Sequence, residues 1–376
     1  MDIEDKFHLI TRNTEEILTE DELRGRLDTG FPLRHYIGFE ISGEVHLGTG
    51  LVCMSKVKDL LEIGIPCSIF LADWHTWIND KLGGDREIIK GVANDYFKEA
   101  LISGIKCLGG NPDKVKFVLG SELYHHNDEY WETVVDIAKN TTLGRIQRSI
   151  TIMGRKEGEG IDFAKLLYPP MQVADIFLQG INLPHSGIDQ RKAHVIAREV
   201  ALKLKLHPLK DRSKNKIKPV AIHGHLILGL QKPPIWPVPK NQLQEVWSSM
   251  KMSKSNPNSA VFIHDKPKTI QKKIESAFCP QEKTVFNPIL DWTKSLIFGT
   301  DQKSLLIERS NKHGGDIEFF SYSELRDSYL KKELHPLDLK GAVAQKLIDM
   351  LEPARRHFDH SRIKKIKEDF KKCLVS

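Results

Sequence analysis

The chain has 376 residues, of which 40% are hydrophobic and 28% charged, and its formal net charge is +6. This length favours two or three domains, and the mild positive charge is compatible with a polyanionic partner. The sequence has neither a run of 18 apolar residues nor a secretory signal, so we expect no membrane span. Its five cysteines are scattered and form no Cys-x-x-Cys pair. They indicate neither a zinc site nor a disulfide framework and favour a cytoplasmic protein.

The first part of the chain predicts a doubly wound α/β domain. Short apolar runs, typical of buried strands, occur at residues 36–41, 67–71, 116–119, 181–183 and 219–222. Helical patterns lie between these runs, and strands that alternate with helices favour a parallel, Rossmann-type sheet. The gap between the third and fourth runs is too long for a simple crossover, so we expect a helical insertion at about 122–165.

The second part of the chain predicts a different architecture. Residues 231–240 are rich in proline and cannot stay helical for long. From residue 265 onward the pattern is helical. We therefore expect a Rossmann-type domain over 1–245, a loop and linker over 246–264, and an all-α C-terminal domain over 265–376.

The first predicted strand is followed by a glycine-rich turn that contains Gly43, His46, Gly48 and Thr49. A turn of this kind places backbone N–H groups and a helix N-terminus at the carboxyl edge of the sheet, where phosphates bind. Gly48 would let a nucleotide approach the backbone, and His46 could donate a hydrogen bond to a phosphate oxygen. Neither a P-loop nor a Gly-x-Gly-x-x-Gly fingerprint is present. Alternatively, the glycines are only turn residues and the histidine caps a helix.

A second phosphate-handling candidate is the string Met-Lys-Met-Ser-Lys-Ser-Asn-Pro-Asn at residues 250–258. Lys251 and Lys254 lie three residues apart on a loop, so both ammonium groups could reach a triphosphate and then follow departing pyrophosphate. The competing interpretation is a solvated basic loop.

Between these strings, Gln172, Asp175 and Gln179 form a polar stripe on an otherwise apolar helical segment. A polar stripe beside an apolar wall suits a buried phenol, whose hydroxyl needs an acceptor such as Asp175. A solvent-facing helix side is the alternative.

The two phosphate-handling strings, in this order, resemble the ATP signatures of class I aminoacyl-tRNA synthetases. Over nearly its whole length the chain resembles tyrosyl-tRNA synthetases of the archaeal and eukaryotic type. The resemblance implies attachment of L-tyrosine to tRNA(Tyr) in two steps, through tyrosyl-adenylate and with release of pyrophosphate, with ATP as a substrate, Mg²⁺ and no zinc. The family's first signature ends in a second histidine. Here Thr49 takes that position, and its hydroxyl can still bond a phosphate.

The resemblance also implies roles for individual residues. Those expected to take part in catalysis are His46, Thr49, Lys251 and Lys254. Those expected to bind tyrosine are Tyr36, Glu40, Tyr168, Gln172, Asp175 and Gln190. Those expected to bind ATP are Gly43, His46, Gly48, Asp189, Lys251, Lys254 and Ser255. Those expected to contact tRNA are Arg148 and Arg191 near its first base pair, and His335 and Asp338 at its anticodon. Asp73, at the end of the second predicted strand, is a further candidate with an equally plausible structural role.

Several alternatives stay open at this point. His335 and Asp338 could simply cap a helix, and the two arginines could form surface ion pairs. The 122–165 insertion is expected to form a homodimer interface, although its apolar residues could equally be buried within one chain; they are Leu143, Ile146, Ile150 and Met153. A tryptophanyl-tRNA synthetase, a small-molecule nucleotidyltransferase and a non-catalytic RNA-binding protein are the competing functions.

Overall fold

The computed structural model describes residues 1–155, 160, 162–254 and 256–375. The proposed ATP-binding residue Ser255 lies outside the described residues. A six-stranded sheet forms the centre of the first part of the chain, with strand order β1-β6-β5-β2-β3-β4. Its strands are β1 (Thr14–Leu18), β2 (His35–Phe39), β3 (Cys67–Leu71), β4 (Val115–Leu119), β5 (Leu183–Gly187) and β6 (Ala221–Gly224). All neighbouring strands are parallel except β1, which pairs antiparallel with β6.

Helices cover both faces of the sheet and make up most of the C-terminal part. Those of the first part are α1 (Ile3–Thr11), α2 (Glu20–Asp28), α3 (Met54–Glu62), α4 (Asp73–Ile78), α5 (Arg86–Val92), α6 (Lys98–Cys107), α7 (Gly120–Tyr124), α8 (Asp128–Lys139), α9 (Leu143–Ser149), α10 (Tyr168–Leu178), α11 (Arg191–Val200) and α12 (Leu243–Met250). Those of the second part are α13 (Pro267–Ser276), α14 (Pro288–Trp292), α15 (Tyr322–Leu330), α16 (Pro336–Met350), α17 (Glu352–Asp359) and α18 (Ser361–Val375). A short hairpin of β7 (Leu305–Ile307) and β8 (Ile317–Phe319) lies among the latter.

Side chains alternate across the strands, so each face of the sheet contributes to a different core. On one face Tyr36 and Phe70 pack with residues of α8, α10 and α11. On the other face Ile37 and Ile69 belong to a core that continues into the C-terminal helices, where it includes Trp292. The C-terminal helices therefore share their hydrophobic core with one face of the sheet.

The strand order creates a crevice between β2 and β5. The chain leaves β2 toward β3 and β4, whereas β5 leads to β6 on the other side. Ligands bind at such a switch point, outside the carboxyl ends of the strands. The turn that follows β2 and the helix α11 that follows β5 both begin at this edge.

The basic loop that follows α12 is attached to this edge at both ends. At the start of the loop, the Met252 N–H donates to the Ile227 carbonyl (2.8 Å). After it, the Leu47 N–H donates to the Val261 carbonyl (3.0 Å). These backbone bonds hold the loop directly over the glycine-rich turn.

Four details differ from the sequence predictions. Strand β1 and the β7–β8 hairpin were not predicted. Strand β5 lies two residues later than the predicted run at 181–183, and β6 lies two residues later than the run at 219–222. The predicted insertion at 122–165 contains most of α7, together with α8 and α9. Among the described residues, no helix combines the length and the apolar character needed to cross a membrane.

Candidate active site

A cavity of about 800 Å³ opens at the carboxyl edge of the sheet, between β2 and β5. It brings together residues that lie more than 200 positions apart in the sequence. The proposed catalytic, tyrosine-binding and ATP-binding residues that line it are Tyr36, Glu40, Gly43, His46, Gly48, Thr49, Tyr168, Gln172, Asp175, Asp189, Gln190, Lys251 and Lys254. Gln179, the third member of the polar stripe, does not line it; its side chain donates instead to the Asp175 backbone carbonyl (2.8 Å).

At one end of the cavity lies a buried carboxylate. The Asp175 side chain is only 1% exposed, and burial raises its pKa well above the usual range. Its Oδ1 accepts a hydrogen bond from the Tyr124 hydroxyl (2.9 Å). Its Oδ2 makes no hydrogen bond among the described residues, and the neutral imidazole of His75 lies 3.8 Å away through Nε2. A buried acceptor without a donor costs free energy unless a ligand supplies one, so this oxygen suits a hydroxyl donor.

An aromatic cluster shapes this end and holds the carboxylate. The Tyr124 ring stacks on Tyr130 with centroids 4.0 Å apart, and Trp74 meets Tyr124 edge-on at 5.7 Å. Tyr36 and Phe70 contribute further rings, 5.9 Å apart. Such a site accepts a flat aromatic side chain and offers its polar end one buried carboxyl oxygen.

Next to this pocket is a second polar cluster, which suits an ammonium group. The Tyr168 hydroxyl donates to Glu40 (2.8 Å), whose carboxylate also accepts from Asn79 (2.9 Å). The Gln172 side chain donates to Gln190 (3.3 Å) and keeps its own carbonyl oxygen unpaired among the described residues. Burial raises the pKa of Glu40. Unpaired oxygens and a carboxylate at one place favour a cationic ligand group.

The glycine-rich turn presents a neutral imidazole to the cavity. Burial, reinforced by the two lysines, lowers the pKa of His46 to about 3. Its Nδ1 accepts a bond from the Thr49 N–H (3.4 Å), so the proton resides on Nε2, which can donate to an anion. A Cβ at Gly48 would lie 3.0 Å from the imidazole Cε1, so a side chain there would displace the ring.

Both loop lysines line the cavity, and each has a different partner. Lys251 Nζ lies 2.9 Å from Asp189 Oδ2, in a half-exposed ion pair. Lys254 Nζ donates to the Ser42 hydroxyl (3.2 Å) and lies 5.2 Å from the centre of the Phe97 ring. Burial lowers the pKa of Lys254 to about 8. Together with His46, these cations line one part of the cavity, where their charges suit an anion.

The proposed tRNA contacts lie outside the cavity. Arg191 begins α11 and forms a bidentate ion pair with Glu16, and Arg148 is exposed on α9. His335 is the N-cap of α16, where its Nδ1 accepts from the Leu337 N–H (3.2 Å), and Asp338 lies in the first turn. The ion-pair interpretation of Arg191 and the helix-cap interpretation of His335 are thus present in the structure, and both side chains remain accessible.

Other candidates have structural roles. Asp73 accepts bonds from the Trp74 and Ser121 N–H groups, both at 2.9 Å, and does not line the cavity. Of the four apolar residues considered for a dimer face, three are buried within the chain, and Leu143 is 61% exposed. The polar residues that support the site, Tyr124 and Asn79, were missed because no sequence motif contains them.

Comparisons with known proteins agree with this geometry. A family model described as class I tRNA synthetases for tryptophan and tyrosine matches residues 29–352. A tyrosine–tRNA ligase of Thermococcus kodakarensis is 56% identical over 96% of both chains. A crystal structure of tyrosyl-tRNA synthetase complexed with L-tyrosine, from Pyrococcus horikoshii, has a TM-score of 0.94 and 52% identity, covering 98% of this chain and all of that one. The chain belongs to the archaeal-type tyrosyl-tRNA synthetases.

Membership of the tyrosyl-tRNA synthetases confirms the predictions of family, Rossmann-type fold and ligase class. The comparison with a tryptophanyl-tRNA synthetase shows a common fold. The tryptophanyl-tRNA synthetase of Aeropyrum pernix superposes with a TM-score of 0.65 at 17% identity, over 94% of this chain and 84% of that one.

Proposed function

We propose that this tyrosyl-tRNA synthetase makes tyrosyl-adenylate in the cavity and transfers the tyrosyl group to tRNA(Tyr). The carboxylate oxygen of tyrosine attacks the α-phosphorus of ATP, and the bond from that phosphorus to pyrophosphate breaks. A hydroxyl of the terminal tRNA ribose then attacks the carbonyl carbon, and AMP departs. The observation that carries this proposal is the buried, unpaired Asp175 Oδ2 beside a cluster of phosphate-binding cations.

Tyrosine would bind with its phenol toward Asp175 and Tyr36. Its ammonium group would lie at the second polar cluster, formed by Glu40, Tyr168, Gln172 and Gln190. In this orientation the carboxylate of the substrate points toward His46 and the lysines. The pose satisfies the unpaired oxygens of both clusters at once, which favours tyrosine over a purely apolar side chain.

ATP would bind on the other side of the cavity, over the glycine-rich turn. The Nε2–H of His46 would donate to a phosphate oxygen that gains charge in the transition state. Lys251 and Lys254 would neutralise the leaving pyrophosphate, and Asp189 would accept from the ribose hydroxyls. Gly43 and Gly48 allow the nucleotide to approach the backbone, and the Thr49 hydroxyl takes the place of an imidazole. Mg²⁺ would enter as part of the ATP complex rather than in a protein cage.

Catalysis in this scheme needs no nucleophile from the enzyme. Holding the carboxylate and the α-phosphate in line makes an intermolecular step effectively intramolecular. Positive charge at the β- and γ-phosphates stabilises the transition state more than the ground state. The cavity supplies both contributions.

The tRNA would bind at two places. Arg148 and Arg191 flank the cavity on α9 and α11, within reach of an acceptor end that enters it. His335 and Asp338 lie on the C-terminal helical part, where an exposed imidazole and a carboxylate suit single-stranded anticodon bases. We therefore propose that residues 1–245 hold the catalytic domain, with 246–264 as its loop and linker, and that 265–376 read the anticodon.

We further propose a cytoplasmic homodimer. Exposed apolar side chains in and near the insertion support the dimer; they are Val135, Leu143 and Phe163. The five cysteines form no disulfide, which suits a reducing compartment. Sedimentation of the wild type and of Leu143→Glu tests the dimer. We expect the wild type to sediment at twice the monomer mass, and a monomeric wild type would contradict the assignment.

Aminoacylation of two transcripts tests the proposed reaction. With ATP present, the enzyme should charge tRNA(Tyr) with labelled tyrosine and release pyrophosphate before tRNA is added. Charging of tRNA(Trp) with tryptophan, without charging by tyrosine, would contradict the proposal. Adenylyl transfer to a small acceptor in the absence of tRNA would favour a nucleotidyltransferase instead.

A further inference from the structure

A network of polar side chains holds the N-terminal end of α11, next to the active site. Arg191, the first residue of α11, donates from Nε to Glu16 Oε2 (2.7 Å) and from Nη2 to Glu16 Oε1 (2.9 Å). Glu16 lies on the edge strand β1, and its Cα partner on β6 is His223. The residue before Arg191 is Gln190, which lines the cavity. The ion pair therefore lies one residue from the active site.

A chain of hydrogen bonds from two buried histidines also holds the Glu16 carboxylate. His223 Nδ1 lies 2.8 Å from Glu16 Oε2, and His194 Nδ1 lies 3.0 Å from His223 Nε2. Burial lowers the pKa of both imidazoles, so both are neutral near pH 7, whereas the Arg191 guanidinium lowers the pKa of Glu16. An ionised carboxylate can only accept, so His223 donates from Nδ1 and accepts at Nε2 from His194. The direction of every proton in the chain is thereby determined.

The ion pair uses only one edge of the guanidinium. Nε and one hydrogen of Nη2 point to Glu16, and Nη1 makes no hydrogen bond within the described part of the chain. The edge formed by Nη1 and Nη2 therefore keeps the two parallel donors that read guanine or clasp a phosphate. The Arg191 side chain is 45% exposed, and that of Glu16 is 29% exposed. The free edge is accessible while the opposite edge is held.

We infer that Glu16 is a positioning residue for tRNA specificity, which orients Arg191 so that its free edge reads the acceptor end. This inference rests on the proposed function. Without Glu16, the guanidinium keeps its charge but loses its fixed plane. A freely rotating cation still attracts phosphates, but it discriminates poorly between bases. Glu16 thus contributes mainly to the choice of tRNA and little to the activation of tyrosine.

The chain offers a matched control on the same helix. Arg198, two turns along α11, forms a bidentate pair with Glu22 of α2, with N–O distances of 2.6 and 3.0 Å. Glu22→Ala removes an ion pair of the same kind from the same helix, but seven residues from Arg191. A general loosening of α11 would affect both variants alike, whereas orientation of Arg191 depends on Glu16 alone.

The experiment measures tRNA binding and charging in Glu16→Ala, Glu22→Ala, Arg191→Ala and the Glu16→Ala/Arg191→Ala double variant. We expect Glu16→Ala to raise the KM for tRNA about tenfold, as expected when a bidentate recognition group loses its orientation. We also expect Glu16→Ala to reduce the ratio between the charging efficiency of tRNA with its native first base pair and that of tRNA with this pair swapped. Glu22→Ala should leave both quantities within about twofold of wild type, because Glu22 is bonded to Arg198 and not to Arg191. In the Arg191→Ala background, Glu16→Ala should have no further effect.

Two results would overturn the inference. The first is an unchanged or lowered KM for tRNA in Glu16→Ala. This result would mean that the Glu16 carboxylate has no role in tRNA binding or blocks access to Arg191. The second is an equal loss in Glu22→Ala, or a loss that persists without Arg191. Tyrosine-dependent ATP–pyrophosphate exchange distinguishes a failure of this inference from a failure of the proposed function. If the wild-type enzyme showed no exchange, the proposed function alone would be refuted. Direct tRNA binding would still decide the role of Glu16.

Discussion

The two ends of the active-site cavity are built in different ways. At the phenol end, Asp175 is buried, packed among aromatic rings and already bonded through one oxygen to Tyr124. At the phosphate end, the lysines lie on a loop, and their present partners are Asp189 and Ser42. Under the proposed function, the first end is pre-organised for its ligand, whereas the second would exchange contacts when ATP binds.

This contrast separates selection from chemistry. A rigid, buried acceptor discriminates between amino acids because an analogue without a hydroxyl leaves it unpaired. Cations on a loop suit a reaction in which charge moves from the α-phosphate to departing pyrophosphate. Lys251 forms an ion pair with Asp189, which is the residue proposed to bind the ribose. Nucleotide binding and movement of the loop would therefore be coupled. The following variants test this division, from the largest expected effect to the smallest.

Removal of both loop lysines should have the largest effect. In Lys251→Ala/Lys254→Ala we expect ATP–pyrophosphate exchange to fall by about 10⁴-fold, since each lost charge costs on the order of 10²-fold in such sites. Tyrosine binding, measured by calorimetry, should remain detectable because the phenol end is untouched. Lys266→Ala/Lys268→Ala, which removes two exposed lysines from the start of α13, should keep full activity. Wild-type exchange without the loop lysines would refute their role.

Removal of the buried acceptor should have the next largest effect, and only on tyrosine. In Asp175→Ala we expect kcat/KM for tyrosine to fall about 100-fold, because a buried hydroxyl left without its acceptor costs up to about 3 kcal/mol. The value for phenylalanine should change little, so discrimination between the two amino acids should shrink. The KM for ATP serves as an internal control. Equal losses for both amino acids would point to collapse of the pocket instead.

The phosphate end should also respond to pH. Burial lowers the pKa of Lys254 to about 8 in the free enzyme, whereas bound phosphates would favour the charged form. As the pH rises through 8, the free enzyme loses this charge, so the KM for ATP should rise by up to about tenfold per pH unit. Lys254→Arg, which stays charged, should abolish the dependence. The same pH dependence in Lys254→Arg would assign it to another group.

The smallest effect should come from loosening the phenol end without removing its acceptor. Tyr124→Phe deletes the bond that holds Asp175 Oδ1, and one such bond contributes about 1 kcal/mol, or roughly fivefold in kcat/KM for tyrosine. In the Asp175→Ala background the same change should have no effect, because the two residues act as one unit. Additive losses in the double variant would show that Tyr124 acts independently of Asp175.

The sequence predicted the parts of this site that carry strong local patterns. Strands β3 and β4 and the glycine-rich turn were recognisable because apolar runs and glycines mark them directly. Strand β1 was missed because its residues, Thr-Glu-Glu-Ile-Leu, pair only at the antiparallel edge and show no apolar run. Strand β5 is displaced because Pro184, His185 and Ser186 are buried polar or irregular residues that a hydrophobicity pattern does not identify.

The supporting residues were beyond the reach of the sequence for a different reason. Tyr124 lies 51 positions from Asp175, and Asn79 lies 39 from Glu40. Only the packing of α7 and α4 against the sheet brings these pairs together. A polar residue that acts by holding another leaves no motif. The difference between an end packed among aromatic rings and an end lined by loop lysines therefore becomes visible only in three dimensions.

ATP–pyrophosphate exchange by the wild-type enzyme, with tyrosine, tryptophan and phenylalanine measured in parallel, tests the central claim most directly. If the free oxygen of Asp175 selects the substrate, exchange should be fast with tyrosine and close to background with the other two. Exchange with phenylalanine at a rate comparable to that with tyrosine would show that the buried carboxylate does not read the hydroxyl, and it would contradict the account.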